Sequence, residues 1–281
     1  MSHEFKTKSR LKPENAATIL LSGLQDVWGE YLFCRGTFRS KPSRSSVHHL
    51  RTSIRKLEAV LQMLEAIAPS KHQSILFDDI DRERKSLSAL RDAQVQKKDL
   101  SRSRREWLNR KKFNSYLKKI ETKEEKAALT IIRAQDQRKR VREFSKIESS
   151  LVELLVQASP RRKSTLMTKL QHHLGDQHLN LQRQVLSLKP KRANRFHKLR
   201  VATKNCLYEI EAAKTIVSVA PDFKNKISRF KDKLGDLQDQ VAFVQNAKRF
   251  FKKTKAHPEP KKEIAREILA RQKEIISSPN I

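Results

Sequence analysis

The chain has 281 residues, room for about two compact units, and its 62 Lys and Arg against 31 Asp and Glu give a formal net charge of +31. Soluble domains usually carry a net charge of magnitude about 2–8, so this excess predicts a polyanionic partner that relieves the self-repulsion. The five glycines argue against glycine-rich phosphate loops and tight hairpins, and the 33% of charged residues with few alternating β-branched runs favours an all-α fold.

Cysteine content and hydropathy bear on the compartment. Cys34 and Cys206 are too few for a disulfide framework and lack the spacing of a zinc site. The first 15 residues contain no apolar segment of the secretory-signal type, and the apolar stretch at 16–24 is far shorter than a membrane-spanning helix of about 18–20 residues. We therefore expect a cytoplasmic protein with no membrane partner and no metal or cofactor.

The first half of the chain shows helical periodicity throughout. Apolar residues spaced three and four apart predict helices over 14–36, 43–68 and 70–96, and Ala68-Pro69 ends the second of them. The stretch 97–146 holds 18 Lys and Arg against 7 Asp and Glu, yet its apolar residues also recur at helical spacing. We expect these to be buried helix faces: Trp107, Phe113, Leu117, Ile120, Leu129, Ile132, Val141, Phe144 and Ile147.

The second half repeats the plan. A boundary is predicted at 159–162, followed by helices over about 162–188, 192–219, 222–254 and 260–277. The segment VHHLRTSIRKL at 47–57 aligns without gaps on FHKLRVATKNC at 196–206, with an offset of 149. The segment LSALRD at 87–92 matches LGDLQD at 234–239, with an offset of 147. This internal duplication predicts two bundles of about four helices each, residues 12–158 and 160–278, facing each other across a pseudo-two-fold axis.

A line of cationic side chains recurs in the two aligned helices. On the predicted helix at 43–68, Arg44, His48, Arg51 and Arg55 lie along one line, one per turn, away from the leucine face. The second copy has His197, Arg200 and Lys204, with Ala193 in place of the first arginine. A basic stripe is usually only a solvated face. Its recurrence with the histidine included favours a site, and donors at one-turn spacing match an extended chain of anionic groups.

The paired pattern H-x-L-R-x-x-x-[RK], each copy followed by a Leu-x-x-Leu-x-Asp segment, resembles the CHAD domain (conserved histidine α-helical domain) over residues 12–277. The resemblance implies two four-helix bundles with internal pseudo-symmetry and a basic central groove or pore that binds inorganic polyphosphate. Some family members localise to polyphosphate granules. The ligands that it implies here are His48, Arg51, Arg55 and Lys56 in the first half, and His197, Arg200 and Lys204 in the second.

The sequence departs from the family pattern at Glu58 and Leu207, where members often carry a further basic residue, and at Asn205, which replaces a commonly basic position. The second half therefore has fewer cations along its line than the first. We expect additional cations to come from the basic stretch, with Arg133, Arg138 and Arg142 as candidates beside a solvated-face alternative. For Asp92 and Asp239 we expect a supporting role, in which each carboxylate hydrogen-bonds a motif His or Arg, orients it and raises the histidine pKa. The alternative for both is a surface aspartate.

Three function classes remain open at the level of sequence. Non-enzymatic polyphosphate binding leads, with phosphate or sulfate ions as mimics, because no nucleophile with a recognisable base and no P-loop is present. Non-specific nucleic-acid binding is the alternative, although the 6% of aromatic residues offers few stacking platforms. A structural role on polyphosphate or polyester granules is the third. The acidic cluster at 78–81 is expected to pair with the arginines and lysine that follow it, and the histidines at 172, 173 and 178 lack metal-site spacing.

Overall fold

The computed structural model describes residues 5–7, 13–102, 110–156, 160–189, 193–214, 217–254 and 261–277. Within these ranges the chain forms ten helices and one short two-stranded ribbon. Their bounds are β1 (Phe5–Thr7), α1 (Pro13–Ser40), α2 (Arg44–Ile67), α3 (Lys71–Ser86), α4 (Ser88–Arg102), α5 (Arg110–Ala134), α6 (Gln137–Val156), α7 (Pro160–Leu186), α8 (Ala193–Ala213), β2 (Val217–Val219), α9 (Pro221–Thr254) and α10 (Lys261–Ser277). The predicted all-α class is confirmed.

The helix that carries the first basic line begins at a well-formed cap. The Ser43 hydroxyl accepts a hydrogen bond from the Ser46 backbone N–H at 3.0 Å, and the Ser46 hydroxyl accepts one from the Ser43 N–H at 2.8 Å. This reciprocal pair satisfies donors that a helix start otherwise leaves unpaired. Ala68-Pro69 then ends α2, because proline cannot continue a helical ladder. Both ends agree with the sequence prediction.

The predicted single helix over 70–96 is wrong, since the chain divides at Leu87 into α3 and α4. Serine hydroxyls flank the division: Ser86 donates to the Glu83 carbonyl at 2.7 Å, and Ser88 donates to the Arg84 carbonyl at 3.1 Å. Such local side-chain bonds compete with the helical ladder for the same acceptors. The division brings the Arg84 carbonyl into reach of an arginine on α2, which is described below.

Other expectations need correction. The first half contains six described helices rather than about four. The helix predicted over 192–219 ends at Ala213, and Val217–Val219 instead pairs antiparallel with Phe5–Thr7, because β-branched valines suit an extended strand once a partner is present. Val141 is 41% exposed rather than buried. Trp107 lies outside the described residues, as does part of the predicted boundary at 159–162, where α7 begins at Pro160.

One hydrophobic core extends through both halves of the sequence. It joins the inward faces of α1, α2 and α3 with those of α6 to α10, so neither half buries its apolar residues alone. A smaller cluster lies between α4, α5 and α9, where Phe113 meets Phe250 at a centroid distance of 5.2 Å. Packing of this kind fixes the position of the helices that carry the basic lines.

A buried ionic cluster ties three helices of the first half together. Glu83 on α3 accepts from Arg35 on α1 at 2.9 Å and from Arg140 on α6 at 2.6 Å. The Tyr31 hydroxyl donates to the same carboxylate at 2.6 Å, and burial raises the pKa of that phenol. A single carboxylate therefore forms ion pairs with two arginines inside the core.

Replacing that carboxylate should destabilise the fold. We expect Glu83→Gln to lower the free energy of unfolding by about 3–5 kcal/mol, because it leaves two buried guanidiniums uncompensated. Urea denaturation followed by circular dichroism measures the change. Glu30→Gln is the matched control: it breaks the exposed Lys56–Glu30 pair, 2.7 Å between Nζ and Oε2, and should cost less than about 1 kcal/mol. Equal costs for the two variants would contradict the role given to Glu83.

Candidate functional site

The two helices that carry the duplicated motif pack directly against each other. Asn205 on α8 donates to the Gln62 side chain on α2 at 3.3 Å, across the contact between the two helices. Behind them, Leu50 and Ile54 of α2 and Leu199 of α8 are fully buried. The predicted cationic lines are thereby held next to one another, with α4 and α9 packed alongside. We call the region that these two lines share the cleft; its motif residues are His48, Arg51, Arg55, His197, Arg200 and Lys204.

The cations of the two halves repel one another electrostatically. Lys204 of α8 is repelled most strongly by Arg200 on its own helix and by Arg55 and Arg51 on α2. Arg55, which is only 8% exposed, is in turn affected by Arg200. Side chains that pointed outward in opposite directions would not interact in this way. The cationic side chains of α2 and α8 therefore converge.

Arg51 is held in place by the division between α3 and α4. Its Nη1 donates to the Arg84 carbonyl and to the Ser88 hydroxyl, both at 2.9 Å. Burial, with repulsion from Arg55, lowers the pKa of Arg51 to about 10. The guanidinium is still charged at neutral pH, and its position is set by the protein before any ligand binds.

Lys204 is the most perturbed cation in the cleft. Burial, then repulsion from Arg200, Arg55, Arg51 and Lys231, lowers its pKa to about 7. All four named neighbours are cationic. A lysine in this setting is about half protonated at pH 7, and an added anion would restore its charge.

The two motif histidines are exposed at the cleft. The pKa of His48 is lowered by desolvation and by the charges of Arg91, His49, Lys204 and Arg44. The prediction that a carboxylate raises the histidine pKa is therefore wrong for His48, because cations surround it. His197 has its Nδ1 3.1 Å from the Gln238 Oε1.

Asp92 lies where the predicted supporting carboxylate should be, beside motif residues from both halves. The pKa of Asp92 is raised by desolvation, an effect opposed by the charges of Arg51, Arg200 and His197, although the residue keeps solvent contact at the cleft. Its counterpart Asp239 is half-buried on α9. The orienting role predicted for the two remains a prediction.

The remaining candidates lie at various distances from this centre. Arg44 is exposed at the first turn of α2 and adds to the field at His48. Lys56 is already paired with Glu30 of α1. The three arginines of the basic stretch are exposed at the end of α5 and on α6, a helix whose main contacts are with α3 and α1: Arg133, Arg138 and Arg142.

The sequence matches the CHAD domain family over residues 34–247. The chain belongs to that family. Two solved structures share the fold: a CHAD domain from the plant Ricinus communis, at 16% identity and a TM-score of 0.68, over 93% of this chain and 86% of that one, and PptA from Streptomyces chartreusis, at 14% identity and a TM-score of 0.63, over 93% and 95%. The comparison with curated proteins gives no match.

Sequence reasoning missed several cleft residues of this CHAD domain. Arg84 and Arg91 reach the cleft from α3 and α4, Lys231 from α9, and Tyr208 from α8, as their influence on the pKa values of the motif residues shows. Arg91 immediately precedes Asp92 in the aligned segment, and Arg84 lies two turns earlier, so the periodicity could have indicated both. Beside Asp92, a cavity of about 380 Å³ opens between α4, α5 and α9, with Lys119, Lys123 and Arg249 in its lining.

Two other polar clusters are accounted for by ion pairs. Asp81 contacts Arg84 and lies 2.7 Å from the Lys85 Nζ, which confirms the ion pairing expected for the acidic cluster at 78–81. His173 contacts Glu209 at 3.1 Å. Among the residues that the structure describes, no three His, Cys, Asp or Glu side chains are grouped as metal ligands. None of the described helices is long and apolar enough to cross a membrane.

The Lys204 pKa should be visible in the pH dependence of stability. The folded state binds fewer protons than the unfolded chain, whose lysines titrate near 10.4, so the free energy of unfolding should rise as pH increases from about 7 towards 10. Lys204→Met should flatten that rise. Urea denaturation at pH 7, 8 and 9 measures it.

Lys198→Met on the exposed side of α8 removes the same global charge and should leave the rise intact. An equal flattening by both substitutions would show that overall charge, rather than the cleft, governs the dependence.

Proposed function

We propose that this CHAD domain binds inorganic polyphosphate without catalysis, along the cleft between α2 and α8. The observation that carries the proposal is Lys204, a half-buried lysine that lies among the cations Arg200, Arg55, Arg51 and Lys231. Like charges that are forced together destabilise the protein until an anion enters. A phosphoryl group supplies that charge, and arginine can bind it with two parallel hydrogen bonds.

The length of the cationic line supports a polymer rather than a single anion. Arg44 to Arg55 span 11 residues, about 16 Å along α2 at 1.5 Å per residue. One phosphate ion could reach only one or two of the cationic side chains along that line. A continuous chain of phosphoryl groups could engage His48, Arg51 and Arg55 together, and recruitment of the protein to polyphosphate granules would follow from the same contacts.

Binding should be strongly salt-dependent and centred on the cleft. We expect the logarithm of the association constant for long-chain polyphosphate to fall linearly with the logarithm of salt concentration, because counterions are released. Arg200→Gln should weaken binding and reduce that slope by about 1. Isothermal titration calorimetry at four salt concentrations measures both quantities.

Arg183→Gln is the matched control for this titration. It removes the same charge from an exposed site in the last turn of α7 and should change neither the affinity nor the slope appreciably. If both substitutions weakened binding equally, the polymer would be held by diffuse surface charge and the cleft assignment would fail. Absence of binding by the unchanged protein at low salt would overturn the proposed function itself.

Nucleic acid is the competing polyanion, and the burial of the cleft cations discriminates between it and polyphosphate. Arg55 is almost fully buried, so a bare phosphate chain can reach it where a duplex with bulky sugars and bases cannot. We expect unlabelled polyphosphate to displace labelled RNA or duplex DNA at equal charge concentration, and the reverse displacement to be weak. Fluorescence anisotropy measures both directions. Efficient displacement of polyphosphate by nucleic acid would favour the alternative function.

A further inference from the structure

The duplicated halves differ at the residues that neutralise or restrain the cations. At an offset of 147, Arg84 corresponds to Lys231, Asp81 to Ser228 and Ser88 to Gly235. At the offset of 149 that relates α2 to α8, Glu58 corresponds to Leu207. Two carboxylates and one hydroxyl in the first half are thus replaced by groups without charge or, at Gly235, without a side chain.

In the first half these groups have partners. The Arg84 Nε donates to the Glu58 Oε1 at 2.7 Å, and Arg84 also contacts Asp81. Arg51 donates to the Ser88 hydroxyl and to the Arg84 carbonyl. Internal acceptors therefore restrain Arg51 of α2 and Arg84 of α3.

In the second half the equivalent positions leave the cations without those partners. The Arg200 Nε is buried and has no hydrogen-bond partner. A Cβ atom added at Gly235 would meet that same Nε at 4.0 Å, so the missing serine would have faced it. Lys231 donates to the Ser228 hydroxyl at 3.5 Å and pairs with its exposed neighbour Asp232, at 3.2 Å between Nζ and Oδ1. Ser228 therefore offers an uncharged oxygen where Asp81 offers Arg84 a carboxylate.

We infer that the α8 side of the cleft, centred on Arg200 and Lys204, is the primary phosphoryl-binding position, and that Arg51 of α2, already restrained by its hydrogen bonds, lies opposite it. The inference rests on the proposed function and adds that the two halves have different roles in binding the ligand. A phosphoryl group bound there supplies the acceptors and the negative charge that Glu58, Asp81 and Ser88 already supply across the cleft. The cations of the second half that lack these acceptors therefore define the primary binding position.

Restoring a carboxylate to the second half should therefore compete with the ligand. We expect Leu207→Glu to weaken polyphosphate binding about tenfold, because a carboxylate at this position pairs with Lys204 or Lys231 as Glu58 pairs with Arg84. Leu207→Gln has the same shape without the charge and should change affinity less than about twofold. Glu58→Gln removes the first-half carboxylate and should leave affinity unchanged or raise it. Calorimetry at fixed low salt measures all three, and circular dichroism verifies that each variant folds.

The serine–glycine pair gives an independent test. Gly235→Ser offers Arg200 the hydroxyl that Ser88 offers Arg51, and serine is at least as compatible with a helix as glycine. It should weaken binding about two- to threefold, whereas Ser88→Gly should have a smaller effect. If Leu207→Glu does not fold, the comparison of Gly235→Ser with Ser88→Gly tests the inference instead.

The outcomes separate the inference from the function on which it rests. If the unchanged protein binds no polyphosphate, the proposed function fails. If it binds, but Leu207→Glu matches Leu207→Gln and Gly235→Ser has no more effect than Ser88→Gly, then the halves contribute equally and the inference is overturned while the function stands.

Discussion

Repulsion among the cations of the cleft is the constraint on which the rest of the structure depends. The charge of Arg55 helps to lower the pKa of Arg51, the charge of Arg200 that of Arg55, and the charges of all three arginines that of Lys204. Hydrophobic packing holds them there, since the leucine faces of α2 and α8 share one core. The burial of apolar area offsets this unfavourable electrostatic arrangement.

The aligned positions of the two halves carry different chemistry. Glu83 in α3 pairs with two buried arginines, whereas its counterpart at the offset of 147, Phe230 in α9, packs in the hydrophobic core. The same divergence acts in the cleft, where Glu58 and Leu207 occupy equivalent places. The two motif segments share the register of their cations, and the residues around them differ in whether they give those cations internal partners.

The division at Leu87 shows how a local irregularity serves the site. Ser88 and Arg51 both donate to the Arg84 carbonyl, a bond that a continuous helix would have used internally. In the second half α9 continues through Gly235 without interruption, because no hydroxyl is present to compete for the corresponding carbonyl. The α2 arginine is therefore restrained by backbone, and the α8 arginine is not.

The sequence by itself determined the helical class, most helix bounds, the duplicated register and the identity of the two basic lines, because these depend on periodicity along one helix and on proline or serine at helix ends. Only the tertiary structure decided that the lines converge and that Arg84, Arg91 and Lys231 join them from helices far away in the chain. It also decided that Lys56 pairs with Glu30, that Val141 is exposed, and that His48 has a lowered rather than a raised pKa. Burial and charge–charge distance belong to the packed structure, and spacing along a single helix cannot supply them.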